Sequence, residues 1–233
     1  ELFGGYNRYF VAPKLFRQCS WLPFSVRRSL AKGLGSVPAS VWDFIGRASS
    51  FSEPSEKIRK IAQVLSSRDL LTAYLRLSSH WEDPNQLILG SSKPLAMTDG
   101  IRVPPFAESE HQMMYTDAMT YLPDDILAKV DRAAMGVSLE TRVPFLDHRV
   151  VEFAWSLPLS LKIRQGQGKW LLRQVLHQYV PQSLIDRPKM GFGIPLGDWL
   201  RGSLKDWAEA LLDENRLRQE GFFEPLQIRK KWE

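Results

Sequence analysis

The sequence predicts a mostly α-helical protein, and three observations carry that prediction. Apolar residues recur three and four positions apart through several stretches, the spacing of one face of a helix. No run sustains the apolar–polar alternation of a half-buried strand, so little sheet is expected. Ser, Asp, Pro and Gly stand at the edges of the periodic stretches, where they start and stop helices.

The elements follow in order. Phe24 to Leu34 is a basic amphipathic candidate stopped by Gly33 and Gly35. Pro38 to Arg47 comes next, with Val41, Phe44 and Ile45 at helical spacing. Ser52 or Ser55 caps a helix to about Leu65, with Ile58, Ile61, Ala62 and Leu65 on one face. Ser67 caps a segment carrying Leu70, Leu71, Tyr74 and Leu75. The Pro-, Gly-, Ser- and Asn-rich stretch from Trp81 to Pro105 reads as a loop with one short helix. Phe106 to Tyr121 forms a long helix that Pro123 breaks. Asp124 and Asp125 start another, in the turn where the helix dipole favours acids, with Ile126, Leu127, Val130 and Ala134 facing inward. His148 to Leu157, Gly168 to Tyr179, Pro181 to Ile185 and Leu204 to Leu212 complete the set. Gly166 and Gly168 bracket a turn before Lys169. The Met113-Met114 pair and the Trp residues read as core or interface packing.

A chain of 233 residues can bury a sizeable core as one domain or a large lobe. Hydrophobic content of 44% and charged content of 24% are those of a globular protein. No apolar run approaches the ~18 residues that span a bilayer, and the start lacks the basic-then-apolar pattern of a signal peptide. The single Cys19 excludes an intrachain disulfide and a Cys-based zinc site, which fits a cytoplasmic setting, and it reads as a small core filler. The net charge of +5 fits a phosphate-binding cleft or simple solubility. Its basic residues are dispersed, and no zinc finger, basic zipper or RNA-binding aromatic signature accompanies them. Nucleic acid and membrane are therefore not the expected partners.

The most informative stretch is Asp186-Arg187-Pro188-Lys189-Met190-Gly191-Phe192-Gly193-Ile194-Pro195. Pro188 fixes φ, and Gly191 and Gly193 let backbone approach a ligand closely. A Lys held between them projects an ammonium at a fixed point, which suits phosphate or developing negative charge. The alternative is a surface turn with a solvated Lys.

Three further segments stand in a fixed order around it: Glu1-Leu2-Phe3-Gly4-Gly5-Tyr6-Asn7-Arg8-Tyr9, Tyr121-Leu122-Pro123-Asp124-Asp125-Ile126-Leu127, and Glu140-Thr141-Arg142-Val143-Pro144-Phe145-Leu146-Asp147-His148. Together the four resemble the C-terminal synthetase domain of glutamine-dependent asparagine synthetases. The resemblance is best from about Asp117 to Trp199 and weakest over a variable helical insert, about residues 21–109. It implies a single domain over residues 1–233, the helical C-terminal portion of an adenine-nucleotide-α-hydrolase-like α/β synthetase domain with most parallel strands missing. The family carries an SGGxDS pyrophosphate loop, which this chain lacks. It also carries an acidic loop, SGDGGDE or SGEGSDE, whose last residue matches Glu1. The chain is thus expected to be a fragment lacking the ATP loop and the glutaminase domain, inactive alone and prone to self-association.

The resemblance further implies a reaction. ATP adenylates the side-chain carboxylate of aspartate, and ammonia from glutamine attacks the β-aspartyl-AMP to give asparagine. ATP and Mg²⁺ are the implied cofactors, with Mg²⁺ ligands in the upstream acidic loop and none in this chain. Lys189 matches the family's catalytic lysine and would stabilise negative charge on the α-phosphate and in the transition state. Gly191, Gly193 and Glu1 would line the nucleotide site. Lys129 and Arg132 share a helix face and match basic residues near the pyrophosphate end of the cleft; a solvated face is the alternative. Glu140 and Arg142 either line the cleft or form a buried ion pair holding the Val143-Pro144-Phe145 turn. Asp147 reads as the N-cap of the following helix, and His148 as exposed. A relative acting on another carboxylate, such as a sugar uronic acid, fits the same segments. A helical interaction or nucleic-acid module leaves the Lys189 stretch unexplained. A homo-oligomer is compatible with either reading.

Overall fold

A computed structural model describes residues 1–38, 40–42, 44, 54–79, 81, 84–90, 103–186 and 194–232. The chain forms two units, Glu1–Ser79 with Gly100–Val180, and His80–Asp99 with Pro181–Glu233. As the spacing predicts, the described residues are mostly helical, with two short strands.

In the first unit, α1 (Arg8–Cys19) is a helix the sequence reading omits. Pro13 inside it removes a backbone donor and disguises the segment. Helix α2 (Phe24–Ser36) runs through Gly33 and Gly35, contrary to expectation. It ends at Val37, which is extended ahead of Pro38, the conformation a following proline favours. α3 (Pro54–Leu65) ends where predicted but contains Ser55, which therefore does not cap it, and α4 (Leu70–Ser78) carries the predicted Leu70, Leu71, Tyr74 and Leu75. The cap of α4 is Asp69, whose carboxylate accepts from the Thr72 N–H at 2.8 Å. Ser67, the predicted cap, is instead buried and donates to the Gln63 carbonyl at 2.7 Å. Buried Arg27 ties α2 to this corner by donating to the Ser67 carbonyl at 3.0 Å, with its guanidinium over Phe16 and Phe24.

Helix α5 (Ser109–Met119) leads through Leu122–Leu127, which is π-helical, into α6 (Ala128–Met135). Pro123 therefore does not break the chain's helical course. It sits at the start of the wide turn, where a missing donor costs little, and the Asp124 N–H still reaches the Thr120 carbonyl at 3.0 Å. Ile126, Leu127 and Ala134 are half-buried, but Val130 is exposed, because the π turn rotates the register of the face.

The core of this unit joins Tyr9 and Ala12 of α1, Tyr74 of α4, and Met113 and Met114 of α5, all buried. Burial of each large apolar side chain contributes about 1.5–3 kcal/mol. The Met pair is core, as expected. Trp155 of α7 (His148–Ser156) gathers Phe106, His111 and Tyr115 in an aromatic cluster. Exposed Trp21 and Trp207 depart from the expected packing role, and Cys19 is only half-buried. Asp147 caps α7 as predicted, accepting from the Arg149 N–H at 2.9 Å. The Arg149 side chain and backbone bonds hold its carboxyl below the usual range.

After α8 (Leu159–Lys162), strands β1 (Ile163–Arg164) and β2 (Gln167–Gly168) form an antiparallel hairpin. Gln165 and Gly166, at φ 51° and 75°, supply the two left-handed residues of a type I′ turn. Helix α9 (Trp170–Leu176) then starts at left-handed Lys169.

The second unit contains α10 (Gln182–Ile185), α11 (Leu196–Arg201), α12 (Lys205–Leu211), α13 (Glu214–Glu220) and α14 (Pro225–Trp232). Ile88 bridges Phe223 in antiparallel fashion, flanked by bonds from Leu89 to Phe222 and from Glu224 to Leu87. Glu209 links α12 to α14, accepting from Arg229 at 2.6 Å and from the Trp232 indole at 2.8 Å. The predicted cap Ser52, and parts of the predicted segments from Pro38 to Arg47 and Trp81 to Pro105, lie outside the described residues.

Candidate functional site

The opening segment docks against the hairpin through three glycines. Gly4 has φ 66°, and a β-carbon there would meet the Ile163 side chain at 2.5 Å. Gly5 lies against the Lys169 side chain, and the Lys169 N–H donates to the Phe3 carbonyl at 2.9 Å. Gly168 faces the Gly4 backbone with no room for a side chain. This close contact fixes where Glu1, Tyr6 and Arg8 stand.

Beneath the segment lies a polar network centred on Asp117 at the end of α5. Its Oδ2 accepts from Arg8 Nη2 at 2.7 Å and from the Tyr9 hydroxyl at 2.6 Å. The Asp117 side chain is 3% exposed, so the carboxylate is shielded from water, while the Arg8 guanidinium is 26% exposed. The Arg8 guanidinium sits 4.6 Å from the ring centres of both Tyr6 and Tyr121. Tyr6 donates to Glu1 Oε1 at 2.8 Å. Burial, then the Asp117 charge, pushes the Tyr9 hydroxyl far above its ordinary range, so it remains a donor. Burial and the bond to Glu1 do the same to Tyr6.

Of the predicted site residues, Glu1 enters this network. Tyr6 packs edge-on against Tyr121 at 5.9 Å, just ahead of the π turn. Asp125 in that turn accepts from Lys129, one turn on, at 2.6 Å. That bond raises the Lys129 amine, although the side chain is in solvent. Arg132 follows on the same face and is exposed. Glu140 and Arg142 do pair, but at 70% and 82% side-chain exposure, so the expectation of a buried pair is corrected: among the described residues the pair lies in solvent. His148 is exposed, as expected. Lys189, Gly191 and Gly193 lie outside the described residues. The sequence reading missed Arg8, Asp117 and Lys169 as parts of the site; a carboxylate among the apolar residues of α5 is the signal that marks Asp117. Among the described residues, no group of three or more His, Cys, Asp or Glu side chains would hold a metal ion. None of their helices is long and apolar enough to cross a membrane.

The family model for asparagine synthase matches residues 1–233. The chain belongs to the asparagine synthase family. It is 29% identical over 232 residues to asparagine synthetase [glutamine-hydrolyzing] 1 of Bacillus subtilis, a match covering 93% of this chain and 32% of that protein. It is 33% identical over 222 residues to a putative asparagine synthetase [glutamine-hydrolyzing] of Mycobacterium bovis, with the same coverage of each. Chicken (Gallus gallus) asparagine synthetase [glutamine-hydrolyzing] matches at 38% over 92 residues, covering 38% of this chain and 16% of that protein. The chain thus spans about a third of the length of the first two relatives. No solved structure matches it.

Proposed function

We propose that this chain serves an ATP-dependent carbon–nitrogen ligase that converts aspartate to asparagine. The observation that carries the reading is the family match over residues 1–233. The glutamine-hydrolysing names of the relatives support ammonia from glutamine, released by a glutaminase domain, as the amino donor.

The chemistry follows from the bond to be made. A carboxylate does not accept ammonia at neutral pH, so its oxygen must first become a good leaving group. Attack of the aspartate side-chain oxygen on the α-phosphorus of ATP gives β-aspartyl-AMP and expels pyrophosphate. Ammonia then adds to the acyl carbon, and AMP leaves as asparagine forms. Negative charge builds on the phosphate oxygens in the first step and on the former carbonyl oxygen in the second. Lys189, one residue after Pro188 and two before Gly191, would place an ammonium against both. Lys129 and Arg132 would offer cations to pyrophosphate; both are exposed, and Lys129 would exchange its bond to Asp125 for the ligand. Glu1 and the glycines Gly191 and Gly193 would line the nucleotide, while Glu140 and Arg142 would shape the rim.

The test is pyrophosphate release by the full-length protein with ATP and Mg²⁺, comparing aspartate with other carboxylates and ammonium with glutamine. Release that requires aspartate, with asparagine formed from either nitrogen source, is expected. Release with a uronic acid and not with aspartate keeps the ligase and replaces the acceptor.

A further inference from the structure

We propose that Tyr6, clamped by the Arg8–Asp117 pair, is a positioning residue that fixes the carboxylate of Glu1. The proposal rests on the reading above, in which Glu1 belongs to the nucleotide site.

The Tyr6 hydroxyl donates to Glu1 Oε1 at 2.8 Å. The ring that carries it is held on several sides. It meets Tyr9 edge-on at 5.7 Å and Tyr121 edge-on at 5.9 Å, and the Arg8 guanidinium lies 4.6 Å from its centre. Arg8 is held in turn by buried Asp117, which also takes the Tyr9 hydroxyl on the same oxygen. A glutamate side chain has several rotamers open to it, and a rigid donor selects one. The network thus runs from a buried anion, through a cation that touches the rings of Tyr6 and Tyr121, to a hydroxyl aimed at Glu1. Tyr6 touches no reacting atom in this scheme; it acts through Glu1.

The experiment is a double-mutant cycle on the full-length protein, read as kcat and KM for MgATP in pyrophosphate release. Tyr6→Phe keeps the ring and removes only the donor. It is expected to lower kcat/KM for MgATP about tenfold, the scale of one hydrogen bond to a charged group, with the melting temperature unchanged. Glu1→Ala is expected to lose at least as much, and the double variant no more than Glu1→Ala alone. Asp117→Asn, a second probe, should lower kcat/KM in the same direction and also fail to add to Glu1→Ala. Losses that multiply in the double variants overturn the proposal, because Tyr6 and Asp117 then act independently of Glu1. So does an active enzyme indifferent to Glu1→Ala; in either case the ligase reading stands. A folded parent that releases no pyrophosphate with any carboxylate removes the ligase reading and this proposal together.

Discussion

A β-carbon on Gly168 would stand 2.0 Å from the carbonyl oxygen of Gly4. The atom in the way is backbone, so no side-chain rotation relieves the contact. Gly168→Ala must therefore push the opening segment off the hairpin. The expected cost is about 1–3 kcal/mol, the range for overpacking. Thermal unfolding measures it, and a melting temperature equal to the parent's contradicts the docking described.

The two kinds of ion pair in the first unit should respond differently to mutation. Asp117→Ala leaves the Arg8 guanidinium and the Tyr9 hydroxyl without their shared acceptor in a shielded site. A loss of about 3–5 kcal/mol is expected, as when one partner of a buried pair is removed. Glu140→Gln breaks a pair in which both side chains are exposed, and stability should stay within measurement scatter. Denaturant titration of both variants checks the contrast.

Lys162 makes stability depend on pH. Its side chain is fully buried, its ammonium lies 4.8 Å above the Trp155 ring, and among the described residues it has no hydrogen-bond partner. Burial lowers the amine from 10.5 to about 8, against a small opposing pull from Glu108. Between those two values the unfolded chain holds the proton and the folded chain does not, so stability rises with pH across that window. Below about pH 8 the buried charge is a standing penalty. Lys162→Met should therefore be more stable than the parent at pH 7, by up to about 3 kcal/mol. The gap should close toward pH 10. A gap independent of pH contradicts the assignment.

A run of apolar side chains follows α6 into the turn before α7. Met135, Val137, Leu139, Val143 and Phe145 are all exposed, Val137 at 76%. Such a patch seeks cover. The 233-residue chain in isolation should associate as its concentration rises, and Val137→Lys with Leu139→Lys should suppress it. A clean monomer by light scattering at high concentration contradicts this.

Much of the fold was legible where apolar spacing and caps agree, as in α3, α4 and α7. Three features were not. Pro13 concealed α1, because an interior proline reads as a stop. Pro123 reads as a break, although a π turn absorbs it. Ser67 and Asp69 both have capping side chains, and only the packing of Ser67 against Gln63 decides between them. Of the candidate site residues read from the ordered segments, Glu1 enters the Asp117 network, Lys129 and Arg132 are exposed, and Lys189 lies outside the described residues. The Asp117 network joins residues 109 and 108 positions apart, a pairing that no local periodicity encodes.

Lys189 is proposed above to be the catalytic lysine of an adenylating ligase. Pyrophosphate release by the full-length protein with ATP, Mg²⁺, ammonium and aspartate, measured beside its Lys189→Ala form, tests it most directly. The account predicts aspartate-dependent release in the parent and a loss of orders of magnitude in a folded variant. Equal rates in the two proteins would contradict the role of Lys189, and a folded parent that does not bind ATP would contradict the ligase itself.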